Sequence, residues 1–172
     1  MPTLSIITAP DPRLKLRSEP VAQVDDALRR LMDEMLRAMY GAPGIGLSAV
    51  QVGVPRQVIV ADCGREDAPR QPLCLVNPRL VWFSDQAVVM NEGCLSLPEH
   101  FAEIERPERC RVEYLDYHGK PQSLDADGLL SRCVQHEYDH LDGTLFVDRI
   151  SALKRNMILR KLVKARRQKA IA

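Results

Sequence analysis

The chain has 172 residues, 45% of them apolar and 27% charged, with a formal net charge of +1. That length and balance fit one globular domain burying roughly 70% of its unfolded surface, and they exclude a disordered or fibrous protein. No run approaches the ~20 apolar residues of a membrane span, and the opening MPTLSIITAPDPRL lacks the basic-then-apolar pattern of a secretory signal. The five cysteines are odd in number and irregularly spaced. They argue for reduced thiols and a cytoplasmic location rather than a disulfide framework.

Charge is unevenly placed. Residues 151–172 hold eight Lys and Arg and no acid, so residues 1–150 hold 16 bases against 23 acids. A basic tail on an acidic body points to a polyanionic partner, with a solvated helix as the plain alternative.

In chain order, Pro10, Pro12 and Pro20 predict an extended opening segment. From Asp25 to Tyr40 the residues Leu28, Leu31, Met32, Met35, Leu36 and Met39 recur at three- and four-residue spacing. That periodicity predicts a helix with one core-facing stripe, capped by Asp25 and stopped at Gly41. The following GAPGIGLSAVQVG, Gly41 to Gly53, nearly matches a phosphate loop. However, Leu47 stands where that motif needs lysine, and a helix rather than a strand precedes it. No nucleotide cofactor is expected. The glycines instead permit close backbone approach, and Gln51 is a lone amide among apolar neighbours.

Short β-branched or apolar runs at Val58–Val60, Leu73–Val76, Leu80–Phe83 and Ala87–Met90 read as strands. Arg111–Leu115 alternates, Tyr117–Lys120 reads as a turn, and Ser123–Ala126 as the return strand. No helical pattern separates them, so the pairing is expected to be antiparallel. Asp127 then caps a helix from Gly128 to Leu141, Leu145–Val147 reads as a strand, and a last helix runs from Ser151 to the end. Its expected docking stripe is Leu153, Met157, Leu159, Leu162 and Val163. The predicted fold is α+β: antiparallel β-sheets packed around a central metal-binding helix, with an N-terminal helix and a C-terminal helix. Residues 1–172 are expected to form a single catalytic domain.

The chemistry concentrates in QHEYDHLDG, Gln135 to Gly143. His136 and His140 are four residues apart, so on a helix their imidazoles lie one above the other. Glu137 stands beside the first. This is the H-E-x-x-H arrangement, in which two histidines hold a metal and the glutamate is a general base on water. A hydrolytic site of this kind takes three protein ligands and keeps one position open. Beyond His140 there is no further histidine or glutamate, which weakens a metalloprotease reading and places the third ligand upstream. The upstream candidates are His100, His118 and the cysteines 63, 74, 94, 110 and 133. Cys133 shares the helical face of His136. Cys94, in NEGCLSLPE, follows a flexible glycine and could present its sulfur together with the next backbone N–H. Composition alone does not choose among them. A metal-dependent amide hydrolase, a metallopeptidase and a metal-stabilised polyanion-binding module all remain compatible with the residues.

GIGLSAVQ (Gly44–Gln51), EGCLSLP (Glu92–Pro98) and QHEYDHLDG (Gln135–Gly143) together resemble the three signature motifs of bacterial-type peptide deformylases, in order. Ser48 and Val50 replace the commoner Ala and Thr of the first motif. The resemblance implies Cys94, His136 and His140 as metal ligands, Glu137 as the catalytic carboxylate, and Gln51 with the Leu95 N–H as oxyanion donors. It implies Fe²⁺ as the metal in the cell, with Zn²⁺, Ni²⁺ or Co²⁺ able to occupy the site. The implied substrate is a formyl-methionyl nascent peptide, held by the backbone of Ile45, Gly46 and Gly93. Ile45, Leu129 and Cys133 would line the methionine pocket, and the basic helix would dock on the ribosome. Glu92, if buried, needs a cation, and Arg106 is the expected partner.

Overall fold

The computed structural model describes residues 3–171. Asp25 opens α1 (Asp26–Gly41) as expected, its carboxylate accepting the Leu28 amide at 2.9 Å. That bond satisfies one of the unpaired N–H groups at a helix start. Gly41 is the last helical residue rather than the first beyond it. Met32, Met35 and Met39 of the stripe are fully buried.

A five-stranded sheet forms from β1 (Gly46–Ser48), β2 (Val58–Ala61), β3 (Leu73–Phe83), β6 (Arg109–Leu115) and β7 (Pro121–Asp127), in the order β1-β2-β3-β6-β7. Every neighbouring pair is antiparallel. A separate two-stranded hairpin pairs β4 (Ala87–Cys94) with β5 (Leu97–Pro107). Strand side chains alternate between faces, and β2 is buried at all of its positions because both faces are covered. Val58 and Val60 pack with Met32 and Met35 of α1. Ile59 packs with Val134 of α2 (Gly128–His140) and with Leu141. The two helices therefore lie on opposite sides of the sheet.

Several expectations are corrected. The two runs Leu73–Val76 and Leu80–Phe83 are one strand, with a register shift between Val76 and Arg79. At that irregularity Asn77 takes φ 49, and its side-chain amide pairs with both backbone groups of Val21 at 2.8 Å. Asn tolerates this left-handed backbone better than most residues, so a sequence break became a bulge. Strands β1 and β5 went unread. The first is only three residues long, and the second carries Pro98 and alternating acids on a hairpin with a solvated face. Proline is tolerated in such edge positions.

The opening segment contains a 3₁₀ turn at Pro12–Lys15, with Asp11 accepting the Arg13 amide at 3.0 Å. Leu145–Val147 is no strand. A 3₁₀ turn, Phe146–Arg149, buries Phe146 and Val147 against Leu14, Leu97 and Leu162. Asp127 stands at the N-cap of α2, but its side chain makes no capping bond. In α3 (Ala152–Ile171), Leu162 is buried and Ile158 and Leu159 pack beside it. Leu153 and Met157 face solvent, at 72% and 48% exposure, so the docking stripe is narrower than predicted. Among the described residues no helix is long and apolar enough to cross a membrane.

Candidate active site

Helix α2 carries Arg132, His136 and His140 at successive four-residue steps, one row on one face. The β4–β5 hairpin lays Cys94 against that row, its Sγ 3.5 Å from His140 Nε2. One ligand-type atom from each of Cys94, His136 and His140 falls within 4.8 Å of the others. The other candidates stand elsewhere. Cys133 donates to the Ile45 carbonyl at 3.5 Å, His118 packs edge-on against Tyr117, and Cys74 and Cys110 are buried in apolar clusters.

Glu92 fixes His136. Its Oε2 lies 2.7 Å from His136 Nδ1. An ionised carboxylate only accepts, so Nδ1 carries a proton whatever the ring's charge, and Nε2 is the nitrogen left to take an ion beside Cys94. Glu92 is itself 6% exposed and held by two cations. Arg106 donates from Nε and Nη2 at 2.8 Å each. Arg132 donates from Nη1 at 3.1 Å, and also binds the carbonyls of Ile104 and Val88. Burial pushes the Glu92 carboxyl up, but the hydrogen bonds from Arg106 and His136 outweigh it and hold the group well below the usual range. The expected Glu92–Arg106 pair is present. Asp139 contacts no histidine; it grips Arg106 Nη1 at 3.1 Å and Arg149 Nε at 2.7 Å.

Glu137 is 4% exposed. Its Oε2 lies 2.9 Å from the Ser48 hydroxyl and its Oε1 3.9 Å from His136 Nε2. Burial raises its carboxyl above the ordinary value, against the opposing His136 charge and Ser48 bond. Burial likewise drives His140 toward the neutral imidazole, the form that binds metals. Gln51 Oε1 accepts the Ser48 amide at 2.9 Å. That turns Nε2 toward Ser96 Oγ at 3.0 Å and Cys94 Sγ at 3.6 Å.

These groups meet a cleft of about 560 Å³. Ile45, Gly46, Gly93, Leu129 and Cys133 line it, as do Cys94, Leu95, His136 and Glu137, while Gln51 and His140 lie behind its wall. A Cβ on Gly46 would stand 2.7 Å from Cys133 Sγ and 2.8 Å from Glu137 Oε1. Only glycine permits that approach. Sequence reasoning missed Ser48, Ser96 and Arg132 as parts of this assembly. Arg132 had a usable signal, lying one helical turn before His136.

A buried acid beside three ligand-spaced side chains, at the wall of an apolar cleft, belongs to a metal-dependent hydrolase. The family model for polypeptide deformylase matches residues 3–156. A peptide deformylase of Bartonella tribocorum is 50% identical over 98% of this chain and 96% of its own length. One from Pelagibacter ubique is 52% identical over 99% of both. The crystal structure of the Ehrlichia chaffeensis peptide deformylase superposes with a TM-score of 0.93 at 42% identity, covering 98% of this chain and 99% of that one. The chain belongs to the peptide deformylase family, metal-dependent hydrolases that remove the N-formyl group from nascent polypeptides.

Proposed function

We propose that residues 1–172 act as a single catalytic domain in the cytoplasm, hydrolysing the formyl amide of formyl-methionyl nascent chains to formate and a free N-terminus. The observation that carries this reading is the convergence of Cys94, His136 and His140 beside the buried Glu137. The donor set suits a divalent ion. One sulfur and two imidazoles face a common point, and Glu92 fixes the His136 tautomer. Resemblance to the family implies Fe²⁺ in the cell, and one thiolate with two imidazoles also accommodates Zn²⁺, Ni²⁺ or Co²⁺. An ion held there supplies a Lewis acid that lowers the pKa of water from 15.7 to about 7.

The chain's own groups do the rest. Glu137, anchored by Ser48, takes the proton from the attacking water and returns it to the leaving amine. Gln51 Nε2 and the Leu95 N–H donate to the carbonyl oxygen as it gains charge. The backbone of Ile45, Gly46 and Gly93 aligns the peptide, and Ile45, Leu129 and Cys133 enclose the methionine side chain.

Formate release from formyl-Met-Ala-Ser tests this. Glu137→Ala should lose at least about 10²-fold in kcat, and full activity in that variant refutes the mechanism. Gln51→Ala should cost roughly 10²–10³-fold. Metal analysis of protein purified without air identifies the ion. Activity surviving Cys94→Ala, with cleavage of internal peptide bonds, would favour a metallopeptidase.

The basic helix α3 is a proposed ribosome contact. Arg160, Lys161, Lys164, Arg166, Arg167 and Lys169 are all exposed. Because Leu162 anchors α3 to the core, charge reversal tests the idea more cleanly than deletion. Lys161→Glu with Lys164→Glu and Arg167→Glu should abolish salt-sensitive ribosome binding while sparing short peptides. Unchanged binding ends the idea.

A further inference from the structure

Of the described residues, three large apolar side chains line the cleft and are exposed: Ile45, Leu129 and Phe101. Ile45 and Leu129 belong to the proposed methionine pocket. Phe101, at 62% the most exposed of the three, has no part in the proposed hydrolysis.

Its position follows from the register of the hairpin. Phe101 stands opposite Gly93, and Ala102 opposite Glu92. Neighbouring side chains on a strand point to opposite faces. Glu92 points to α2, where it meets His136 and Arg132, so Gly93 and Phe101 belong to the other face. The Phe101 ring occupies the space that a side chain at position 93 would need. A Cβ on Gly93 would lie 2.5 Å from Phe101 Cε1 and 2.7 Å from Cδ1. Glycine thus lets the ring lie against the β4 backbone at the wall of the cleft. Two residues along β5, on the face of Phe101, the Glu103 side chain is exposed, and Glu99 exposes a second carboxylate where it lines the cleft. Arg132, which also lines the cleft, is buried and paired with Glu92.

We propose that Phe101 is a specificity-determining residue, a ledge that selects large apolar and above all aromatic side chains at the residue following methionine. The inference rests on the proposed alignment of the peptide along Ile45, Gly46 and Gly93. An extended peptide alternates its side chains as a strand does. With the methionine side chain directed to Leu129 and Cys133 of α2, the next side chain points the opposite way, to the face that carries Phe101. The third points back again. A large apolar side chain laid on the ring removes surface of both from water, and an aromatic one adds an edge or offset-stacked contact. Alanine covers little of the ring. Aspartate brings a like charge toward Glu99 and Glu103, which disfavours it most at low salt.

The test measures kcat/KM of the metal-loaded enzyme for formate release from formyl-Met-Phe-Ser, formyl-Met-Ala-Ser, formyl-Met-Asp-Ser and formyl-Met-Ala-Phe. Ratios between substrates on one protein do not depend on the fraction that is folded or metal-loaded. Wild type should favour formyl-Met-Phe-Ser over formyl-Met-Ala-Ser roughly 3- to 10-fold, with formyl-Met-Asp-Ser the poorest. Phe101→Ala should remove the preference for phenylalanine, and Phe101→Tyr, which keeps a ring, should preserve it. Phe101→Lys should place formyl-Met-Asp-Ser above formyl-Met-Ala-Ser by supplying the opposite charge. Equal wild-type values for the Phe and Ala peptides overturn the proposal, as does a preference that survives Phe101→Ala. A loss in Phe101→Ala that falls on formyl-Met-Ala-Phe instead overturns the assignment to the residue after methionine. Failure of the deformylase reading would show separately, as no formate from any of the four peptides.

Discussion

Replacing Glu92 by Gln tests whether one buried carboxylate holds the metal centre together. The substitution keeps the shape and removes the charge. In the structure Glu92 accepts four hydrogen bonds: two from Arg106 at 2.8 Å, one from Arg132 at 3.1 Å and one from His136 at 2.7 Å. The amide oxygen still accepts, but of anions Arg106 would retain only Asp139, and Arg132 none, keeping carbonyl partners alone. Both guanidinium groups are at most 8% exposed, so water cannot replace the lost charge. Removing one partner of a buried ion pair costs about 3–5 kcal/mol. At about 2–4 °C per kcal/mol for a chain of this size, Tm should fall by roughly 6–20 °C. Loss of the carboxylate behind His136 should also weaken metal binding about 10- to 100-fold. Thermal unfolding and a chelator competition titration measure the two effects. Arg79→Met provides the contrast, because the Arg79–Glu113 pair is 72% and 47% exposed and should contribute less than about 1 kcal/mol. A Tm for Glu92→Gln within about 2 °C of wild type would refute the stability argument. Unchanged metal affinity would refute the orienting role.

Other expectations follow from single positions. Gly46→Ala places a methyl 2.7 Å from Cys133 Sγ and 2.8 Å from Glu137 Oε1. A displacement of that size should lower kcat/KM by about 10²-fold with an unchanged circular dichroism spectrum, and near-normal formate release would contradict it. Leu162→Ala should cost about 2–5 kcal/mol of unfolding free energy by leaving a hole under α3. Leu153→Ala, at a position 72% exposed, should change little; equal effects in denaturant titrations would mean the helix docks by another face. Burial, with a hydrogen bond to Asp62, pushes the Tyr40 phenol from 10.0 up to about 12, against the opposing Arg70 charge. The unfolded chain then loses this proton before the folded one does. Its contribution is complete below pH 10 and is lost as pH rises toward 12. Tyr40→Phe should flatten that part of the stability profile, and identical alkaline slopes for the two proteins would exclude it.

Much of the architecture was legible because periodicity reports burial. The methionine-rich stripe of α1, the apolar run of β2 and the histidine row of α2 each followed from one buried face or two. What escaped was set by partners distant in sequence. β5 reads as polar and proline-broken because its hairpin keeps a solvated face, and Phe146–Val147 is too short a run to choose between strand and turn. The residues alone left seven candidates for a third ligand. Cys94 was singled out only by a fold that brings it to His140, 46 positions away. Arg132 lay in plain view on the histidine row, but arginine on a helix usually means solvent.

β4 and β5 pair with each other and stand apart from the five-stranded sheet, so no backbone ladder sets how far Cys94 stands from α2. That bite is set by side-chain joints: Arg132 to Glu92 and to the carbonyls of Val88 and Ile104, and Arg106 between Glu92 and Asp139. Substitutions at Arg132 should therefore loosen that bite and weaken metal affinity about 10- to 100-fold, read by chelator competition, and an unchanged affinity would exclude the role.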